Sequence, residues 1–227
     1  MKRFGFIIFP NVTQLDFTGP IQILARLPDA ETHVLAKTLD PVPTDCGFAI
    51  IPTTTFEACP DLDVICVPGG FGVDGALTDG ATVPFLARVG RDAPYVTSVC
   101  TGAFLLGAAG LLDGRRATAH WAYHGLLKHV GATPTDMRVV RDGHVITGGG
   151  VTAGIDFALT LAREIAGPEV ARAIQLAVEY DPSPPFEAGH PRSAPDATRA
   201  LVDDRFAKRR AVFEQALLGA LRSGAVS

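Results

Sequence analysis

At 227 residues, 47% of them hydrophobic, the chain is long enough for one α/β domain, or a domain with an appendage, around a two-sided core. Its net charge of −4 carries no electrostatic footprint for nucleic acid. No apolar run approaches the roughly 20 residues that cross a bilayer, and "MKRFGFIIFP" is too short, and too soon broken by Pro10, for a secretory signal. The four cysteines, at positions 46, 59, 66 and 100, match neither a zinc pair nor a compact disulfide frame. A cytoplasmic protein with reduced thiols is expected, with no membrane and no nucleic-acid partner.

Four apolar runs bounded by Gly and Pro predict fully buried strands: "RFGFIIF" (3–9), "THVLAK" (32–37), "DVICVPGG" (63–70) and "YVTSV" (95–99). Between them, helices are predicted over Pro20 to Leu27, Val83 to Asp92 and Thr101 to Leu112. The alternation predicts an α/β fold, a mostly parallel sheet sandwiched between helices in a flavodoxin-like three-layer αβα arrangement. Two segments interrupt it. "VPTDCGFAIIPTTTF" (42–56) and "RVVRDGHVITGGG" (138–150) read as hairpin arms, the second turning at Asp142-Gly143. A helix over 152–167 follows, capped by Thr152 or the preceding glycines and ended by Gly167-Pro168, then another from about Glu169 to Glu179. The proline-rich stretch 181–196 predicts an extended surface segment, and a last amphipathic helix is expected over about 197–222. Residues 1–180 thus read as one domain, with 181–227 packed on it. The basic cluster Lys208, Arg209 and Arg210 reads as a solvated helix face.

Cys100 lies where a strand runs into a helix with no visible loop. In an open parallel sheet, ligands bind beyond the carboxyl ends of the strands. A junction residue on such a turn projects outward on a strained backbone, as in a nucleophile elbow. Ser98, Gly102 and Ala103 are small enough to relieve crowding there. The following helix N-terminus favours a thiolate, a setting that lowers a thiol pKa from about 8.5 into the range of about 3.5–7.5. Cys66 reads as core filler, and Cys46 and Cys59 as loop or hairpin residues.

"DVICVPGG" followed by "SVCTGAFLLGAAGLLDGRRATAHW" and "VITGGGVTAGIDFALTLAREIAG" resembles the ThiJ/PfpI superfamily, whose fold is similar to class I glutamine amidotransferase domains. "FPNVTQLDFTGP", "CTGAFLLGAAGLL" and "GGGVTAGIDFAL" resemble its isocyanide hydratase branch, and similar runs occur in the sensor halves of AraC-type regulators. The resemblance implies a Cys100 nucleophile and a homodimer. It also implies that Asp16, after the first strand, is the catalytic carboxyl group where many members carry glutamate. On sequence alone Asp16 reads equally as an N-cap. Thr101 stands where the PfpI branch has histidine, which counts against peptidase activity. Thr101 is a candidate to hydrogen-bond the carboxyl group or the substrate.

Gly69 and Gly70, with the Thr101 amide, are candidates for an oxyanion-hole-like donor set, and Gly149 for a position against the site. His120 and His124 are spaced i, i+4, but no Glu follows His120 as a zinc-protease motif requires. One of them is expected to be a satisfied structural histidine near a helix start. Neither a metal nor an organic cofactor is expected. The reaction implied is hydration of a small uncharged isocyanide to an N-substituted formamide through a Cys100 thioimidate. The alternatives are a ligand- or redox-sensing domain related to AraC-type sensor halves, and a glyoxalase- or deglycase-type enzyme.

Overall fold

The computed structural model describes residues 1–223; the last four residues of the 181–227 segment lie outside the described residues. Strands β1 (Lys2–Ile7), β2 (Ala30–Ala36), β3 (Thr54–Thr55), β4 (Val64–Val67), β5 (Tyr95–Val99), β6 (Val139–Asp142) and β7 (Val145–Gly148) form one seven-stranded sheet. Their order is β6-β7-β5-β4-β1-β2-β3, and every pair is parallel except β6–β7. Helices α1 (Gln14–Leu24), α2 (Val73–Thr78), α3 (Thr82–Asp92), α4 (Gly102–Ala108), α5 (Ala153–Ala166), α6 (Pro168–Ala177) and α7 (Asp196–Arg222) cover it. One layer contains α1, α5 and α6; the other contains α2, α3, α4, α7 and a 3-10 turn at His124–Val130. The α/β three-layer reading is therefore the fold.

Central strands are mostly apolar because both faces are covered: Phe4, Phe6, Val64, Ile65, Cys66, Val67, Val96 and Val99 are all inaccessible to water, with Thr97 and Ser98 buried among them. The 138–150 hairpin forms as β6–β7, with Gly143 at φ 62° in its turn. In the 42–56 segment, Val42–Pro43 pairs antiparallel with Ala49–Ile50, while Thr54–Thr55 continues as the edge strand β3.

Helix α2 is not among the expected elements, α1 stops at Leu24 and α6 at Ala177, each short of the expected end, and two further boundaries differ for a clear physical reason. Helix α1 starts at Gln14, not Pro20, so Pro20 lies inside it. Proline has no N–H to give the Asp16 carbonyl, yet one missing rung is tolerated where the helix packs on a core. Helix α4 ends at Ala108 rather than Leu112. Gly110, at φ 75°, closes it with Gly110 N–H to Gly107 O and Leu111 N–H to Leu106 O, the paired bonds of a Schellman stop.

The proline-rich stretch holds no strand or helix before α7. Helix α7 lies on α2 and α4, with Phe213, Leu217 and Ala220 buried and Phe206 packed against the core, at spacings of three, four and seven. The basic cluster within it is not a uniformly solvated face. Arg209 and Arg210 are half-buried, the first bonded to the Phe71 carbonyl and Asp74, the second to the Ala122 carbonyl and Asp203. No helix among the described residues is long and apolar enough to cross a membrane.

Candidate active site

The chain turns outward from β1 to β2 on one side and returns to β4 on the other, so the sheet has a topological switch between β1 and β4. Their carboxyl ends, with that of the next strand β5, carry Asp16, Gly69-Gly70 and Cys100. Strand β4 lies between β1 and β5, and its glycine turn bridges the two functional side chains.

Cys100 adopts φ 58°, a left-handed conformation that costs an L-residue about 1–2 kcal/mol. Two features impose it. The Cys100 N–H donates to the carbonyls of Gly149 at 2.7 Å and Gly148 at 3.1 Å, which extends the β5–β7 pairing past the strand end. Behind it, α4 presses on the end of β4 so closely that a Cβ at Gly102 would sit 2.1 Å from the Val67 carbonyl oxygen. Strand and helix are thus pinned at once, and the residue between them absorbs the turn.

Asp16 is the third residue of α1, not its N-cap; Thr13 holds that position. Its side chain is 0% exposed. Oδ2 accepts the Gly69 N–H at 2.8 Å. Oδ1 has no protein partner of good geometry, and the Cys100 thiol lies within hydrogen-bonding reach of the carboxyl. The Gly70 N–H donates to the Thr101 hydroxyl at 3.0 Å. Both glycine amides are therefore engaged by site side chains, and Thr101 is tied to Gly70 and not to the Asp16 carboxyl. A Cβ at Gly69 would lie 2.5 Å from both the Thr101 nitrogen and its Oγ1. Only glycine lets carboxyl, hydroxyl and thiol converge at this point.

Burial dominates the electrostatics. It pushes the Asp16 carboxyl up to about 7, against the pull of the Gly69 N–H and the Cys100 thiol. Burial also pushes the Cys100 thiol well above its ordinary value. The neighbouring Asp16 carboxyl acts in the same direction, and the Thr101 N–H and hydroxyl pull it back. The lowered thiol pKa expected from the helix N-terminus is thus not found, because Cys100 is only 6% exposed and desolvation outweighs the dipole. Sulfur and carboxyl thus sit together in a desolvated setting that favours the protonated form of each. Cys66, fully buried in β4, is pushed up to about 12 and is inert.

Gly149 meets the site through its carbonyl, while its N–H donates to Arg138 O at 2.9 Å. A groove of about 940 Å3, lined by His120, Trp121, Arg138, Gly149, Gly150 and Phe186 among others, opens beside this turn. His124 bonds the Thr135 carbonyl through Nε2 at 3.1 Å and is structural, at the start of the 3-10 turn. His120 accepts the Ala122 N–H at Nδ1, and burial lowers its pKa to about 4, so it is neutral. No group of three or more potential metal ligands occurs among the described residues.

Sequence reasoning missed the residues that roof the site. Phe213 packs edge-on against Phe104 of the elbow helix at 5.0 Å and against Tyr123 at 5.1 Å, and Phe206 lies 5.2 Å from His120. The signal was present as two phenylalanines seven apart on one helix face.

Comparison with known proteins shows a family and a matching fold. The DJ-1/PfpI family pattern matches residues 2–164 and stops short of α7. The chain is 56% identical, over 92% of its length and 90% of the relative's, to isonitrile hydratase of Pseudomonas putida. A ThiJ/PfpI family protein from Pseudomonas syringae superposes with a TM-score of 0.92 at 42% identity, covering 97% of this chain and 90% of that one. STM1931 of Salmonella typhimurium, a DJ-1 superfamily protein, superposes at 0.70 with 28% identity, covering 80% of this chain and 100% of that one.

Proposed function

The chain belongs to the DJ-1/PfpI family, and from that premise we propose that it is an isocyanide (isonitrile) hydratase, converting R–N≡C and water to R–NH–CHO. The observation that carries this reading is the buried Asp16 carboxyl, raised to about 7 and within reach of the elbow thiol, in a chain so similar to an isonitrile hydratase. An uncharged electrophile suits this desolvated pair, which already carries one negative charge, because the substrate brings no further charge into the buried site.

The starting pair holds one proton, as Cys100–SH and Asp16 carboxylate. The thiol proton passes to Asp16 as the sulfur bonds the terminal isocyanide carbon. The lone pair of that carbon takes the proton back from Asp16, leaving the thioimidate R–N=CH–S–Cys100. Asp16, again a carboxylate, removes a proton from water, whose oxygen adds to the thioimidate carbon, and the proton goes on to the nitrogen. The C–S bond then breaks, the hydroxyl proton goes to the sulfur, and the formamide leaves. One carboxyl group serves as acid and base in turn. In this scheme the Thr101 N–H and hydroxyl stabilise charge developing on sulfur, Gly69 and Gly70 hold Asp16 and Thr101, and Gly149 holds the elbow.

The remaining expectations form part of the same proposal. Residues 181–227, the last four of which lie outside the described residues, belong with the 1–180 domain, the protein is cytoplasmic, and it works as a homodimer. The last rests on the family resemblance. Incubation with an aryl isocyanide, with formamide followed by chromatography, tests the activity. Full turnover by Cys100→Ala overturns the covalent route. Tight binding without turnover by the wild type favours a sensor instead.

A further inference from the structure

The Gly69–Gly72 turn is held from three directions. From the β1–α1 loop, the Thr13 N–H donates to Gly69 O at 3.0 Å, and Asn11 O accepts the Gly72 N–H at 3.2 Å. From within the site, Asp16 and Thr101 accept the amides of Gly69 and Gly70. The third hold comes from far along the chain. Arg209 of α7 donates through Nη2 to the Phe71 carbonyl and to Asp74 Oδ1, the latter at 3.1 Å, and its guanidinium lies 5.5 Å from the Phe71 ring centre. Phe71 directly follows Gly70, and Asp74 opens α2, so one planar cation grips both ends of the segment leaving the turn. The aromatic contacts of Phe206 and Phe213 place the same helix over Phe104 and Tyr123.

We propose that Arg209 is a positioning residue of the active site: by clamping the Phe71 carbonyl and the Asp74 carboxylate, it fixes the glycine turn whose amides orient Asp16 and Thr101. The C-terminal helix is then a working part of the site and not a solvated appendage. Such a clamp acts on kcat more than on KM, because it sets the alignment of acid and thiol and does not touch the substrate. The charged and titratable groups facing the Cys100–Asp16 pair are Asp45 from the 42–50 hairpin, Cys66 from β4 and Tyr123 ahead of the 3-10 turn. Arg209, Arg210 and Asp74 in turn face Tyr123.

The test compares Arg209→Met, Arg209→Lys and Asp74→Asn with Arg205→Met, an exposed control on the same helix. Two readouts are used: kcat and KM with an aryl isocyanide, and the pH profile of Cys100 alkylation by iodoacetamide, followed on its peptide by mass spectrometry. For Arg209→Met, kcat falls about 10–100-fold, the loss typical of a displacement near 1 Å, with KM changed far less. The midpoint of Cys100 alkylation moves to lower pH as water reaches the loosened pair. Arg209→Lys, which keeps the charge but not the planar fork, recovers part of both, and Arg205→Met matches the wild type. Wild-type alkylation profiles and kcat in both Arg209→Met and Asp74→Asn overturn the clamp. Asp74→Asn weakens the clamp from the α2 side by removing the carboxylate charge that holds the guanidinium, and decides the matter if Arg209→Met does not fold. The turnover arm rests on the hydratase reading and the alkylation arm does not, so absence of wild-type turnover would dismiss that reading alone.

Discussion

Asp16→Asn is expected to stabilise the protein while removing its activity. The carboxyl sits at about 7 in the folded chain against 3.8 when unperturbed. Below about pH 4 it is protonated in both folded and unfolded states and contributes no difference. Between pH 4 and 7 the unfolded chain releases this proton and the folded chain keeps it, so wild-type stability falls as pH rises through the window. Above pH 7 the loss is complete. At about 1.4 kcal/mol per pH unit, it amounts to about 4 kcal/mol. Asparagine has the same shape, keeps an oxygen for the Gly69 N–H and never ionises, so its gain over wild type grows from near zero at pH 4 to that plateau. For a chain of this length the plateau corresponds to roughly 10 °C in Tm. Urea unfolding of both proteins at several pH values between 4 and 8 measures it. An offset that does not change with pH, or an Asn variant no more stable than wild type at pH 8, refutes the claim that desolvation governs this group.

Other outcomes follow from the same site. Turnover rises with pH through about 7, as Asp16 becomes able to receive the thiol proton, and falls only above the ordinary thiol range, because burial raises the Cys100 pKa; a kcat/KM profile peaking below pH 6 contradicts this. Cys100→Gly is more stable than Cys100→Ala by about 1 kcal/mol, although glycine is smaller, because φ 58° strains alanine and not glycine; chemical denaturation showing the alanine variant equal or better removes the strain argument. Gly69→Ala, whose Cβ would press on Thr101 at 2.5 Å, loses about 100-fold in kcat/KM and about 1–3 kcal/mol in stability; near-normal kinetics would show that the turn need not be so tight.

The strands were readable because buried runs such as "DVICVPGG" and "YVTSV" are β-branched and largely apolar between Gly and Pro boundaries. Cys100 was readable because strand-like and helix-like patterns abut there with a single thiol between them. Its protonation was not, since the helix N-terminus is a local feature and desolvation depends on chains packed from elsewhere. The start of α1 was misplaced because Pro20 imitates a first helical residue, and only packing reveals that the helix runs through it. Arg209 read as a surface charge for a similar reason: its partner Asp74 lies 135 residues earlier. The roles of the Gly69 and Gly70 amides were equally hidden, because what each one donates to is decided by where the first turns of α1 and α4 come to lie.

The crossing of α1 and α5 ties two halves of the chemistry together. A Cβ at Gly154 would lie 3.0 Å from the Pro20 ring and 3.4 Å from the Asp16 carbonyl oxygen, and one at Gly19 would lie 3.1 Å from the Ile155 side chain, so the helices touch almost backbone to backbone. Asp16 rides on one of them. The other begins just after Gly148 and Gly149, which receive the Cys100 amide. Acid and nucleophile are therefore both braced, one directly and one through its backbone amide, by a single close-packed helix crossing, and a side chain larger than hydrogen at Gly19 or Gly154 would press on the site from behind.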